Sequence, residues 1–379
     1  MYWKPIFNLL DGDFDLLVVN AQYIKAVPGH KTDVRDAEWI ADLLQHGLLK
    51  GSFIPPAPQR ELRELTRHRT SLVEDRARVV NRLQKVLEDT NIKLGDVATA
   101  ILGKSARAML EALLAGQTDP KVLAQLARGR LRSKIPELEQ ALVGVVKPHH
   151  RFLLTELFTQ IDTLDEAITR VGNEIATRMQ EQEPTEHHLG SPNDEQQQAP
   201  SEEPLQTSEK PPLTWARALA LLCTIPGISQ RAAEGILAEI GLDMARFPSA
   251  GHLASWAGMC PGNSESAGKR LSGKTRKGSS WLRVLLVEAA HAAAHSKNTY
   301  LSAQYHRLAA RCGKKKAMVA VGHTILVIIY HMLQQQKSYE ELGGTYFDER
   351  ERRDTEKRLV RRLEKLGYQV ELLPASPAA

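Results

Sequence analysis

Two aspartates three residues apart, Asp33 and Asp36, stand in Lys31-Thr-Asp-Val-Arg-Asp36, just ahead of an apolar-periodic stretch. At a helix start that spacing projects both carboxylates to one side. A carboxylate pair suits a hard divalent cation such as Mg2+, which takes oxygen ligands. It equally suits plain capping and complementarity to the helix dipole. Ser266 lies in a second group, Ala257-Gly-Met-Cys-Pro-Gly-Asn-Ser-Glu-Ser-Ala-Gly-Lys-Arg270, whose glycine-rich, basic character continues through Lys274, Arg276 and Lys277. Glycines let backbone amides come close to a phosphate, and Lys269, Arg270, Lys274, Arg276 and Lys277 supply cations for it. A serine hydroxyl becomes a nucleophile there only with help from a base, a metal or a cation. Without that help the segment is a surface loop with a capping serine.

A third group is Leu222-Cys-Thr-Ile-Pro-Gly-Ile228, followed at helical spacing by Ala232, Ala233 and Ile236. It reads as a helix-hairpin-helix whose amides around Gly227 can hold a phosphate, or as an ordinary αα-hairpin. In the fourth, Arg311-Cys-Gly-Lys-Lys-Lys316 opens an apolar stretch that runs to His331. Three lysines at a helix N-terminus oppose its dipole, and an anionic partner relieves the repulsion.

The elements that must position these groups differ along the chain. Leu16-Leu-Val-Val-Asn20 is short, apolar and β-branched and predicts a buried strand; Ala37, Ile40, Ala41 and Leu44 predict a helix after Asp33 or Thr32 as cap. Residues 1–58 therefore read as a partial α/β front, closed by Pro55-Pro-Ala-Pro58. From Gln59 to about Leu94 a long helix carries seven arginines between Arg60 and Arg82, including Arg63, Arg67, Arg69 and Arg76, on a heptad of Leu65, Leu72, Val79 and Val86. Two readings compete. One is a solvated flank balanced by neighbouring acids; the other packs on one side and meets phosphate on the other. Leu154, Leu157, Ile161, Leu164, Ile168, Val171 and Ile175 then repeat at 3-4 spacing, a coiled-coil seam that can pair with the arginine helix or with another subunit. Residues 183–212 are rich in Glu, Gln, Pro and Ser and read as a disordered linker or insertion between the helical region 59–182 and a compact C-terminal domain, 213–340. A charged amphipathic tail, 341–379, follows. The fold class expected is mainly α.

The 379 residues suffice for two or three domains, and 42% of them are apolar. A net charge of +5 favours an acidic partner such as nucleic acid without proving one. Three separated cysteines, with no Cys-x-x-Cys pair, exclude a zinc ribbon and a disulfide framework. The start lacks a secretory pattern, and the apolar run 317–332 is short for a membrane span, so a cytoplasmic chain with no membrane partner is expected.

Together the segments resemble the DEDD-plus-serine transposases of bacterial insertion sequences, the IS-one-ten type, also described as bridge-RNA-guided recombinases. The matching residues are Tyr2-Trp-Lys-Pro5, Asn20, Lys31-Thr-Asp-Val-Arg-Asp-Ala37, Ile225-Pro-Gly-Ile228, Pro261, Ser266, Gly268-Lys269, Lys277-Gly278 and Tyr339-Glu-Glu-Leu-Gly343. The resemblance implies a front domain of RuvC-like, RNase-H type holding Mg2+ through four acids, the last two matching Asp33 and Asp36. It implies a rear domain with a serine nucleophile matching Ser266, and a composite site formed by dimer or tetramer assembly on DNA with a guide RNA. Three departures stand out. The family's first two acids lie upstream of the Tyr-Trp-Lys-Pro motif with which this chain opens, so an N-terminally truncated chain with impaired activity is expected. Ala267 separates the serine from its glycine, and residues 183–211 look inserted. A non-catalytic nucleic-acid-binding protein is the alternative, and a structural coiled-coil oligomer a third.

Overall fold

The structure is a computed structural model that describes residues 3–19, 33–49, 51–52, 54–182, 212–262, 264–266, 269–272, 274–275, 277–350 and 352–371. The chain divides into two units, Met1–Arg60 and Glu61–Ala379.

Among the described residues of the first unit, α1 (Trp3–Leu10) and α2 (Asp33–Gln45) are the helices that lie wholly within it. Trp3 meets the edge of Phe7, and Arg60 lies over the Phe7 ring while bonding Asp11 at 2.9 Å. The strand expected over Leu16–Asn20 does not form. Residues 15–18 are irregular, Leu17 is exposed, and Val19 makes only an isolated antiparallel bridge to Gly51. A short apolar run has no means of satisfying its backbone groups unless other strands flank it. None does among the described residues of this unit. Asn20 lies outside the described residues, as does the capping position Thr32. α2 confirms the helical spacing after Asp33, although Ile40 and Leu44 on it are exposed.

The second unit is helical. The helix α3 (Ala57–Asp89) runs into it, rich in Arg, Leu and Glu, good helix formers. Four short helices follow: α4 (Leu94–Val97), α5 (Lys104–Leu114), α6 (Pro120–Ala124) and α7 (Ile135–Ala141). Then comes the long α8 (Pro148–Glu181). The partner left open by the heptad spacing is settled within the chain. Arg76 bonds Asp165 and Arg178 bonds Glu61, so α8 returns antiparallel to α3. Leu154, Ile161, Ile168 and Ile175 of the expected stripe are buried. At one end of this pair, Val79, Leu83 and Leu87 pack with Met109, Leu110, Leu138, Leu154 and Ile161. At the other, Leu62, Ile175 and Met179 join a larger core built by the C-terminal helices.

Those helices are α9 (Trp215–Cys223), α10 (Gln230–Ile240), α11 (Ala250–Trp256), α12 (Ser280–Ala294), α13 (Tyr300–Cys312) and α14 (Lys314–Gln335), followed by α15 (Tyr346–Arg350) and α16 (Arg352–Lys365). α14 is the centre of the core, with Val321, Ile325, Leu326 and Ile329 fully buried. At 22 residues it is long and apolar enough to cross a membrane, longer than the 317–332 run suggested, yet half of its most apolar window is buried in this core. Small residues set the helix spacing: a Cβ on Gly322 would sit 3.2 Å from the Leu286 carbonyl oxygen of α12. The expected linker, 183–211, lies outside the described residues.

Candidate functional site

The stretch 257–279 reads from sequence as a loop, and the structure gives it a short β-hairpin. β1 (Ser264–Ser266) pairs antiparallel with β2 (Lys269–Ser272). The register sets Ser266 opposite Lys269 and Glu265 opposite Arg270, which puts Ser266 at the hairpin's turn. Ala267 and Gly268, between those strands, lie outside the described residues, as does Arg276. At the hairpin's base Pro261 bridges Thr275, and the Gly262 amide donates to the Lys274 carbonyl at 2.7 Å. Below it Gly278 packs so tightly on Ala257 and Gly258 that a Cβ there would lie 2.4 Å from their backbone. Lys277 is exposed.

This base forms one wall of a cavity of about 970 Å³. Pro261, Lys274 and Thr275 come from the hairpin, Arg283 from α12, Gln304 from α13, and Lys315, Lys316, Val319, Ala320, His323 and Thr324 from α14. Arg283 donates to the Thr275 hydroxyl at 2.6 Å, tying α12 to the hairpin's base. Four cations line the cleft, and none of the described residues lining it is acidic. His323 is half-buried, and burial pulls its imidazole below the usual histidine range, so it is neutral at neutral pH. Lys315 and Lys316 occupy the first turn of α14 behind the uncapped Gly313. Their charge opposes the helix dipole there, and an anion in the cleft removes that repulsion. The sequence singled out Lys274 and the 314–316 lysines. It missed Gln304 and His323, which sit on helices with no local signal.

The arginines of α3 take a different place from the one expected. Arg69 bonds Glu234 of α10 at 2.5 Å with both side chains buried, and also reaches the Arg231 carbonyl at 3.3 Å. Arg67 grips Glu239 with two bonds of 2.7 and 3.0 Å, and Ser279 donates to the same carboxylate at 3.1 Å. Arg63 donates to the Ala238 carbonyl at 3.0 Å and to that of Glu239; burial among Arg67 and Arg246 lowers its pKa to about 10 despite Glu239. Arg76 is committed to Asp165. Arg63, Arg67 and Arg69 clamp α3 to the C-terminal core, with Arg69 the most enclosed, while Arg76 ties α3 to α8, so all four guanidinium groups are engaged by protein partners. Charge density in sequence does not reveal commitment. The missed signal was Glu234 and Glu239, two acids on a helix buried along most of its length.

Gly227 also has a packing role. Its φ is +92°, and a Cβ would fall 2.4 Å from the Ala289 carbonyl oxygen and 2.6 Å from the Ala293 amide. Only glycine allows α12 to approach that turn so closely. The turn joins α9 to α10, whose start is capped by Ser229.

Asp33 and Asp36 both fall in the first turn of α2, three residues apart along the chain. As donors they fit a hard cation. Among the described residues, no group of three or more His, Cys, Asp or Glu comes together.

Comparison with known proteins brings two findings. Residues 219–307 are similar to the family described as Transposase IS116/IS110/IS902. Residues 1–92 are similar to the DEDD transposase family of IS110. No curated protein matches the chain.

Proposed function

We propose that this chain, which belongs to the IS110-type insertion-sequence transposases, cleaves and rejoins DNA strands with Ser266 as nucleophile, carried at the turn of a hairpin whose base walls the cationic cleft. The observation that carries this reading is the anchoring of the hairpin. Its base, at Pro261, Gly262, Lys274 and Thr275, is itself a wall of a cavity with four cations. A phosphodiester held there by Lys274, Arg283, Lys315 and Lys316 has its negative charge offset by fixed groups as the transition state develops. The Ser266 hydroxyl oxygen bonds to phosphorus, one bridging P–O bond breaks, and the freed sugar oxygen takes up a proton. Attack by a hydroxyl of another strand releases the serine and completes the transfer. Lys269, opposite Ser266 in the register, and Arg270 are proposed as further phosphate contacts, with Lys277 and Arg276. Asp33 and Asp36 are the residues that would hold a divalent cation, whose chemistry when bound is polarisation of the phosphate.

The finer assignments extend this reading. Residues 1–58 are proposed as part of a RuvC-like, RNase-H-type domain, and 213–340 as the transposase domain, with α9 and α10 its helix-hairpin-helix. A guide RNA and further copies of the chain are the proposed partners. The test is a strand-exchange assay with Mg2+ on donor and target DNA. Ser266→Ala is expected to lose exchange while keeping DNA binding within about twofold; exchange at the unaltered rate overturns the nucleophile.

A further inference from the structure

Resting on that reading of the cleft, its shape says more about what enters it than its charge does. A sphere of 970 Å³ is about 12 Å across, no wider than a single major groove of duplex DNA. A duplex is therefore too wide to enter and can offer the cleft only the edge of its backbone. A single nucleotide swung out of its helix, or one in an unpaired strand, does fit.

The lining also suits more than phosphate. Met259, Pro261, Val319 and Ala320 give an apolar surface beside the cations. A pure phosphate site has no use for such a wall, whereas a base face is covered well by it. Hydrogen-bonding groups stand on the α13–α14 side. Thr324 directs its own proton to the Ala320 carbonyl at 3.2 Å and accepts from the Gln304 amide at 2.9 Å. That arrangement fixes the Gln304 amide's orientation and leaves its carbonyl oxygen buried without a partner. An unmet buried acceptor is costly, and a donor brought to this corner is favoured. Gln304 itself lines the cavity. His323, neutral here, adds an uncharged ring to the same wall.

We propose that the cleft lodges one unpaired nucleotide, with its phosphate on Lys274, Arg283, Lys315 and Lys316 and its base against Met259, Val319 and Ala320. Gln304 and Thr324 then meet the base edge or the sugar. DNA and RNA share this chemistry, so both are tested.

The probes are single-stranded DNA and RNA oligomers of one sequence, each intact or with one abasic position, together with the matching DNA duplex. Binding is measured by fluorescence anisotropy to the full chain. The intact single strand of one or both nucleic acids is expected to bind about tenfold more tightly than its abasic form. Ala320→Trp, which fills the cavity, is expected to abolish that difference. Val319→Phe serves as a second filling variant should Ala320→Trp lower the helical circular-dichroism signal. In the unaltered protein, a 2-aminopurine at the same position should change its fluorescence on binding. Equal affinity for intact and abasic strands of both kinds overturns the proposal, and so does a preference that survives in a folded filling variant. Loss of binding to every probe in Lys315→Glu/Lys316→Glu, with no abasic effect in the unaltered protein, keeps the cleft as a phosphate site and removes the nucleotide pocket. Absence of all binding at low salt overturns the functional reading and this one with it.

Discussion

Replacing Arg69 by methionine keeps most of the side chain's volume and removes its charge. What remains is Glu234, whose side chain is 6% exposed, with the Gln230 amide at 3.1 Å as its remaining side-chain donor among the described residues. Breaking a buried ion pair from one side costs about 3–5 kcal/mol, because the surviving charge stays buried without compensation. The Gln230 contact moves the expectation to the lower end, about 3 kcal/mol. Each kcal/mol shifts the melting point of a 150–250-residue domain by about 2–4 °C, and less in a larger one, so a fall of roughly 5–10 °C is expected. Replacing both partners, Arg69→Met with Glu234→Leu, leaves no orphan and should return to within about 1–2 kcal/mol of the unaltered protein. Urea unfolding followed by circular dichroism measures all three. Had Arg69 been a phosphate contact, Arg69→Met would leave stability alone and reduce the salt slope of duplex binding by about 0.9. That pair of results would refute the clamp.

Other expectations follow from the same geometry. Gly227→Ala forces a Cβ against the Ala289 carbonyl at a φ of +92°; overpacking and backbone strain together should cost about 2–5 kcal/mol, read by urea unfolding. His323 has its folded pKa below the unfolded value of 6.5, so the unfolded state binds more protons in the window beneath 6.5 and stability falls as pH drops through it. His323→Gln should flatten that fall in a comparison at pH 7.5 and 5.5. Lys315→Ala and Lys316→Ala should each lower the salt slope of duplex binding by about 0.9 if each meets one phosphate, without loss of helicity.

What the sequence carried and what it did not can be traced to particular residues. The 3-4 spacing from Leu154 to Ile175 is a local property, so helix α8 and its buried stripe could be read directly. Its partner could not, because the same stripe serves a second subunit or the same chain. Only Arg76–Asp165 and Arg178–Glu61, contacts 89 and 117 residues apart, decide it. The protein partners of Arg67 and Arg69 on α3 were hidden for a similar reason: Glu239 and Glu234 lie more than 160 residues away. At Leu16–Val19 composition favoured a strand, but a strand is a property of its neighbours. The stretch around Ser266 was recognised by its glycines and cations, while the hairpin register and the cleft beside it needed the packing of α12, α13 and α14.

The most direct test of the account is the chemical fate of Ser266 during reaction. A strand-exchange mixture with Mg2+ is quenched in denaturant, digested with protease and nuclease, and analysed by mass spectrometry for nucleotide-bearing peptides. The account predicts a phosphate-linked nucleotide on Ser266, absent from Ser266→Ala. A nucleotide attached to a different residue, or the same yield of adduct from Ser266→Ala, would contradict it.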